Sequence, residues 1–531
     1  MDIAFSIAPI VILIFLMTKK NGLPSHVALP LTAALIYALK LVHFESDPNL
    51  IHATVVDGLL SAWTPILITW GAIFMFKTME ASGSMDVIRE WLNGVSNNRV
   101  AQLMIIGWAF AFLIEGASGF GTPAALAAPI LVGLGFNPLR VAMLCLVMNT
   151  VPVSFGAVGT PTWFGMGELN LAQREILEVS RYSALIHGVA ALFIPLMALL
   201  FVVSWQDVRH NIIFVYLSVL ACVAPYVVLA NFNYEFPALV GGMIGVIVSI
   251  ALARAGIGLA KEGDGRATAK PADYPSLIKA SFPLWGTVLV LVVTRVPQLG
   301  IKPLLTATAP LFQISLGTFG EFHVSRALVL ALKAIFGTET IWEYQTLYVP
   351  ALIPFFVMSF VAFAVFGMPG KQIRGVSQET YQRMVRPTLA LLGALVMVKL
   401  MMVDGEASMV MKIGGFFAGA TGGYWQYFAA YLGALGSFFS GSATISNLTF
   451  SGIQNSVAEQ LSLNRTVVLS MQSVGASMGN MVCINNIVAV CSILGIANRE
   501  GYILRRTVVP MILYGVVAAL VGGIIAATVG G

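Results

Sequence analysis

The chain has 531 residues, 58% of them hydrophobic and only 10% charged, with 29 Lys and Arg against 24 Asp and Glu for a net charge of +5. A soluble domain carries roughly 25% charged residues, so an ordinary soluble protein is excluded. The small positive excess sits in loops, where it reads as a membrane-orientation signal and not as a nucleic-acid surface. Apolar runs reach about 20 residues, the length that crosses a hydrocarbon core. The alternating segments of about 10 residues that build an outer-membrane barrel are not seen.

In chain order, the first apolar run, Ile3 to Met17, has Lys19 and Lys20 behind it. A cleaved signal carries its charge in front, so this run is expected to be a retained span. Further crossings are expected over 22–42, 58–80, 138–166, 181–204, 211–230, 236–255, 280–297, 347–367, 387–403, 464–496 and 507–530. The segments 100–136 and 424–461 are each too long for one crossing and short for two, and are read as re-entrant hairpins. The fold class that follows is an all-α polytopic membrane protein, with about 12 transmembrane helices plus two re-entrant hairpins in two inverted repeats.

Three domains are expected: an N-terminal transmembrane half, 1–256, with the first hairpin; a cytoplasmic linker, 257–279; and a C-terminal half, 280–531, with the second hairpin. Gly and Pro mark the linker, and Arg254, Lys261, Arg266, Lys270 and Lys279 place it inside. Lys371, Arg374, Arg383 and Arg386 mark a second inner segment. Both termini then fall outside. In the long outer stretch 298–346, Phe322 to Phe336 is a candidate interfacial helix.

The repeat is read from residues. Gly71-Ala72-Ile73-Phe74-Met75-Phe76-Lys77 matches Gly393-Ala394-Leu395-Val396-Met397-Val398-Lys399 at four of seven positions. A polar break follows each, and Asn137-Pro138-Leu139-Arg140 then meets Asn464-Arg465, so the offset stays near 322 to 327. Met85 to Val95 and Ala407 to Phe417 read as helices lying in the interface. Span 58–80 runs inward and 387–403 outward, which makes the repeats antiparallel.

The two breaks carry the candidate chemistry. They are Glu115-Gly116-Ala117-Ser118-Gly119-Phe120-Gly121-Thr122-Pro123 and Ser440-Gly441-Ser442-Ala443-Thr444-Ile445-Ser446-Asn447. Broken backbone survives in a bilayer only where protein or water satisfies it, and paired breaks in two halves point to a transporter's binding site. Each return arm starts here, and helix N-termini offer free N–H groups and partial positive charge to an anion. The candidate substrate-binding residues are Ser118, Gly119, Gly121, Thr122, Asn149, Thr160, Ser442, Thr444, Ser446 and Asn447. Small residues also let helices pack closely; clustering at both tips favours binding. The helices after the hairpins, with Asn149, Pro152, Gly159, Pro161 and then Gln472, Asn480, Asn485 and Asn486, either bond a neighbouring helix or unwind to line a pocket.

Glu115 ends an apolar arm at the first tip. A desolvated carboxylate favours its neutral form, which suits a proton carrier; a structural partner for Lys or Arg is the other reading. Lys77 and Lys399 are expected to snorkel, Arg140 and Arg465 to anchor helix starts, and His187 to be packed and hydrogen-bonded. Asp404 and Glu406 are expected in the outer interface. Cys145, Cys222, Cys483 and Cys491 show neither metal nor disulfide spacing. No cofactor or metal is expected. The motifs H-E-x-x-H and G-x-S-x-G are not found, which argues against an enzyme.

The stretch Ala111-Phe112-Leu113-Ile114 into the first break, followed by Asn137-Pro138, Gly159-Thr160-Pro161-Thr162 and Trp63-Thr64-Pro65, resembles the bacterial L-lactate permease family. The resemblance runs over most of the chain. It implies proton-coupled uptake of L-lactate across the bacterial inner membrane, with glycolate and D-lactate as related substrates. The implied partners are a small monocarboxylate anion, a proton and the lipid bilayer, with no nucleic acid. A sodium-coupled carboxylate symporter is the alternative. Individual binding residues do not carry over from the resemblance; those above rest on the physical reading.

Overall fold

The computed structural model describes residues 2–19, 22–119, 122–260, 274–295, 299–349, 352–496 and 499–529. Among these, eight helices are long and apolar enough to cross a membrane, or ten if each of two bent pairs counts as one crossing. The bent pairs are Pro138–Met148 with Val153–Leu169, at 64°, and Arg465–Val482 with Ile484–Ile493, at 42°. Apolar helices Asp2–Met17, Ile353–Val365 and Ala429–Ser440 are shorter. The expected span 181–204 is interrupted, because Gln173–Ala190 ends before a short helix at Ile194–Leu199. Most of the expected linker, 261–273, lies outside the described residues.

The chain divides into two compact units, Met1–Met85 with Ile278–Phe416 and Asp86–Leu277 with Phe417–Gly531. Each unit draws one stretch from either side of the expected linker. In the first unit, Pro48–Ser61 continues past Ala62 into Trp63–Ala81, and both pack on the long helix Gly370–Met402. Gly393 permits close approach to the helix Ser25–Val42: a Cβ there would stand 2.5 Å from the Pro30 nitrogen.

Lys77 and Lys399 do not simply snorkel. Lys77 Nζ lies 2.6 Å from Glu80 and 2.9 Å from Glu379, and Lys399 Nζ lies 2.8 Å from Asp57. The C-terminal end of Trp63–Ala81 therefore meets the first turns of Gly370–Met402. The C-terminal end of the latter meets Asp57, so the two segments run antiparallel. Asp404 closes a further buried pair, with Lys40 Nζ at 2.8 Å and Ser46 Oγ at 2.7 Å. Burial pushes the Asp404 carboxyl up, but the bonds from Lys40 and Ser46 outweigh this and hold it below the usual carboxylate range.

The helix expected over Phe322 to Phe336 is not formed. Residues 310–345 make a four-stranded antiparallel sheet in sequential order, Pro310–Ser315, Glu321–Ser325, Val329–Lys333 and Trp342–Gln345. The Ser325 hydroxyl accepts from the amides of Ala327 and Val329, and Leu328 turns left-handed at φ 53°. That turn ends any helix and pairs Phe322 with Leu332 and Val324 with Leu330. The fold is thus mostly helical rather than wholly so.

The second unit holds both breaks. The first outgoing arm runs Arg99–Gln102, a wider π-helical stretch Leu103–Phe110 and Ala111–Ser118; its return arm is Thr122–Gly133. The second pair of arms is Ala429–Ser440 and Ala443–Gln460. In each case the return arm folds back onto the outgoing one. Helices Ile212–Leu229 and Pro237–Arg254 pack together, joined by Ser218 and Ser249 hydroxyls at 2.7 Å, and cover the first outgoing arm.

The ion pairs differ in exposure: the Asp57 side chain is 13% exposed and the Glu379 side chain 59%. Lys399→Met leaves the half-buried Asp57 carboxylate with the Ser61 hydroxyl but no cation among the described residues and should cost about 1–3 kcal/mol, whereas Glu379→Gln should cost under about 1 kcal/mol. Thermal unfolding of the purified variants in detergent checks the order; equal losses would contradict it.

Candidate functional site

Both breaks reach one cavity inside the second unit. It is small, with a volume of about 30 Å³, and its lining includes Glu115, Gly119, Asn149, Gly156, Ser442 and Thr444 together with Asn480 and Asn486. The four places where helices stop all contribute. Gly119 ends the first outgoing arm at φ 58°, and Gly441 ends the second at φ 74° in the left-handed region, where Gly bears no Cβ cost. The crossing helix Pro138–Met148 stops at Asn149, and its partner Arg465–Met478 passes into a 3-10 turn, Gly479–Val482.

The helix ends around the cavity bring charge of both signs. The C-terminal ends of Ala111–Ser118, Pro138–Met148, Ala429–Ser440 and Arg465–Met478 bring partial negative charge. Glu115 stands there, 3% exposed. Its Oε2 accepts from Asn149 Nδ2 at 2.9 Å, and it has no ion-pair partner among the described residues. The Asn149 Oδ1 is buried and has no hydrogen-bond partner among the described residues. The helix Ala443–Gln460 presents its N-terminus. Ser442 caps it, its hydroxyl accepting from the Ile445 amide at 3.3 Å. The amides of Ala443 and Thr444 have no hydrogen-bond partner among the described residues. An anion fits that N-terminus, and a proton or small cation the Glu115 carboxyl.

The backbone beside Glu115 is strained. Ala157, Val158 and Gly159 all take positive φ, at 44°, 56° and 72°. For a β-branched residue such as Val158 this is an outlier. Three side chains hold the turn: Thr162 donates to Ser154 O at 2.7 Å, Trp163 Nε1 to Val158 O at 3.0 Å, and Thr160 to Ala157 O. Gly156 makes room for the carboxylate, since a Cβ there would stand 2.4 Å from Glu115 Oε1. An apolar floor of Val153, Ala443 and Ala476 joins the two broken segments.

The expected site residues separate into two groups. Glu115, Gly119, Asn149, Ser442 and Thr444 line the cavity. Four others turn to protein partners: Ser118 donates to Ile114 O, Thr160 to Ala157 O, Ser446 to Gly433 O at 2.7 Å, and Asn447 to Pro161 O at 2.8 Å. A buried hydroxyl on a helix is readily drawn to a nearby carbonyl. Gly121 and the side chain of Thr122 lie outside the described residues. Asn480 and Asn486, expected either to bond a neighbouring helix or to line a pocket, line this cavity, and Asn486 Nδ2 donates to Asn480 Oδ1 at 3.1 Å. Amides six residues apart inside an apolar segment were the available signal. Among the described residues no group of three His, Cys, Asp or Glu is placed to hold a metal.

The sequence profile of the L-lactate permease family matches residues 2–529. The chain belongs to that family. A putative L-lactate permease of Haemophilus influenzae is 52% identical over 515 residues, covering 97% of both chains. The glycolate permease GlcA of Escherichia coli is 26% identical, covering 96% of this chain and 93% of its own. The L-lactate permease of Bacillus subtilis is also 26% identical, with 90% and 87% covered. The permease is accordingly an integral membrane transporter rather than an enzyme.

Gly159 is required twice over: by its left-handed φ and because a Cβ would stand 2.0 Å from the Tyr234 carbonyl oxygen. Gly159→Ala should therefore destabilise the permease by about 2 kcal/mol or more. Gly167→Ala, where nothing lies within 4 Å of an added Cβ, should leave stability unchanged. Thermal unfolding of the two variants measures the contrast.

Proposed function

We propose that the permease couples entry of a proton to uptake of L-lactate and related 2-hydroxymonocarboxylates, glycolate and D-lactate among them, across the bacterial inner membrane. One observation carries the reading: a single cavity sets the unpaired Glu115 carboxyl against two partnerless amides at a helix N-terminus. The Ala443 and Thr444 amides hold the substrate carboxylate, and Asn480 and Asn486 reach its 2-hydroxyl. Glu115 takes the proton, because a carboxyl buried without a cation is more stable neutral than charged. One proton moving with one monoanion is electroneutral, so a pH gradient suffices to drive accumulation. The names of the relatives, L-lactate and glycolate permeases, support the substrate class.

Two inverted repeats, each with a re-entrant hairpin, carry the cavity from one membrane face to the other. The ion pairs support this reading. Lys77 and Lys399 are 322 positions apart, as are Asp57 and Glu379 (399 − 77 and 379 − 57), and each lysine binds the other repeat's acid. Such reciprocity is what a two-fold relation produces. The sequence halves 1–256 and 280–531 are then the repeated units, joined by the cytoplasmic linker 257–279. With the hairpin arm Arg99–Ser118 set aside, nine candidate crossings are left; Asp2–Met17, Ile353–Val365 and the interrupted segment Gln173–Ala190 with Ile194–Leu199 bring them to twelve.

In proteoliposomes, Glu115→Gln should abolish lactate accumulation driven by a pH gradient while lactate counterflow continues; unchanged proton-driven accumulation would remove Glu115 from the coupling step. Gly156→Ala, which pushes on the same carboxyl, should lower uptake about tenfold or more. The orphaned Asn149 Oδ1 beside Glu115 gives the sodium-coupled alternative its support, since both are oxygen acceptors. Uptake under a sodium gradient with no pH gradient decides between the two ions.

A further inference from the structure

Behind the cavity lies a buried cluster that neither substrate nor proton touches. Ser154 sits in the 3-10 turn Val153–Phe155, next to Val153 and two residues before Gly156, both of which line the cavity. Its hydroxyl meets His187 Nε2 at 2.8 Å, and Ser473 Oγ and Ser477 Oγ at 2.9 Å each. Ser473 and Ser477 belong to the last turns of the second crossing helix, just before Asn480. On its far side His187 Nδ1 meets the Tyr514 hydroxyl. All five side chains are 0% exposed.

Ser154 donates to the Ser473 carbonyl at 3.2 Å, and Ser477 donates to the same carbonyl at 3.0 Å. The His187 ring nitrogens and the Ser473 and Ser477 hydroxyls complete the cluster around Ser154 and Tyr514. The Ser154 carbonyl is held as well, by Thr162. One side chain thus ties the break in the first crossing helix to the second crossing helix ahead of its own break.

The position of the cluster is set by the fold. His187 and Tyr514 are 327 residues apart. The N-cap residues Asn137 and Asn464 share that separation (464 − 137), and so do the starts of helices Gln173–Ala190 and Glu500–Val529 (500 − 173). Under a two-fold relation, a residue touches its own counterpart only on the axis. The cluster therefore sits where the two repeats of this unit meet, and a change there moves both walls.

We propose that Ser154, oriented by His187 and Tyr514, is the positioning residue that fixes the separation of the two broken helices and so the length of acid the cavity accepts. The proposal rests on the reading of the cavity as the substrate site. The cavity is only about 30 Å³, so an acid enters as its walls part, and the tie between them limits the length admitted; a one-methylene difference at a fitted pocket wall is worth roughly 10-fold or more in discrimination. Loosening the tie lets the walls part further, which costs the short acid its contacts and admits a longer one.

The test measures KM and Vmax for glycolate, L-lactate and L-2-hydroxybutyrate with the full chain in proteoliposomes, in wild type, Ser154→Ala and Tyr514→Phe. Tyr514→Phe keeps the ring and its packing, and carries the test if Ser154→Ala does not yield monodisperse protein. The expected result is a KM for lactate raised about tenfold, Vmax within about threefold, and a lactate-to-hydroxybutyrate preference reduced about fivefold or more. A fall in Vmax alone, or a KM raised equally for all three acids, would overturn the proposal, as would no change. Gly156→Ala separates the two levels. If it alters KM while Ser154→Ala and Tyr514→Phe do not, only the positioning role fails; if none of the three alters any KM, the cavity is not the substrate site and both readings fall.

Discussion

A bilayer interior has no water with which to satisfy a free N–H or C=O, so a helix that stops there must end against protein or an enclosed cavity. Within one unit, helices stop at Gly119, Asn149, Gly441 and Gly479, and these four ends come to the same small space. The polarity of the site follows directly. The four C-terminal ends and Glu115 bring negative charge, and the N-terminus beginning at Ala443 brings positive charge.

Holding such a site together requires conformations the backbone resists. Val158 in the left-handed region costs about 1–2 kcal/mol, and Ala157 beside it adds to that. The surroundings over-determine the turn through Thr160, Thr162 and Trp163. Strain of this kind collects where geometry matters more than stability. Gly156 lies within it, and its missing side chain leaves the room that the Glu115 carboxyl occupies. The first unit shows the opposite economy. Its long helices are regular, and its charges are paired at Lys40–Asp404, Lys77–Glu379 and Lys399–Asp57.

The two breaks and the place of Glu115 at the first of them were legible because polar and small residues stand out against apolar sequence. Family membership was legible for the same reason, since the motif from Ala111 to Pro123 is long and unlike generic membrane sequence. The direction of each hydroxyl was not. Ser442 and Ser446 look alike in sequence, yet one caps a helix at the cavity and the other bonds Gly433 O in the neighbouring arm. The sheet at 310–345 was also missed: Phe322 to Phe336 is apolar enough for a helix, and the deciding turn rests on the Ser325 hydroxyl and a left-handed Leu328.

The sequence by itself determined that the chain crosses a membrane, where its helices must break and which family it belongs to. The first two follow from local composition, because transfer free energy and backbone satisfaction act residue by residue; the third follows from the resemblance of the motif from Ala111 to Pro123. Only the tertiary structure decided which polar groups face the cavity, which lysine meets which acid and that His187 meets Tyr514. Those contacts join residues some 300 positions apart, and their partners are chosen by packing and direction, which no local pattern records.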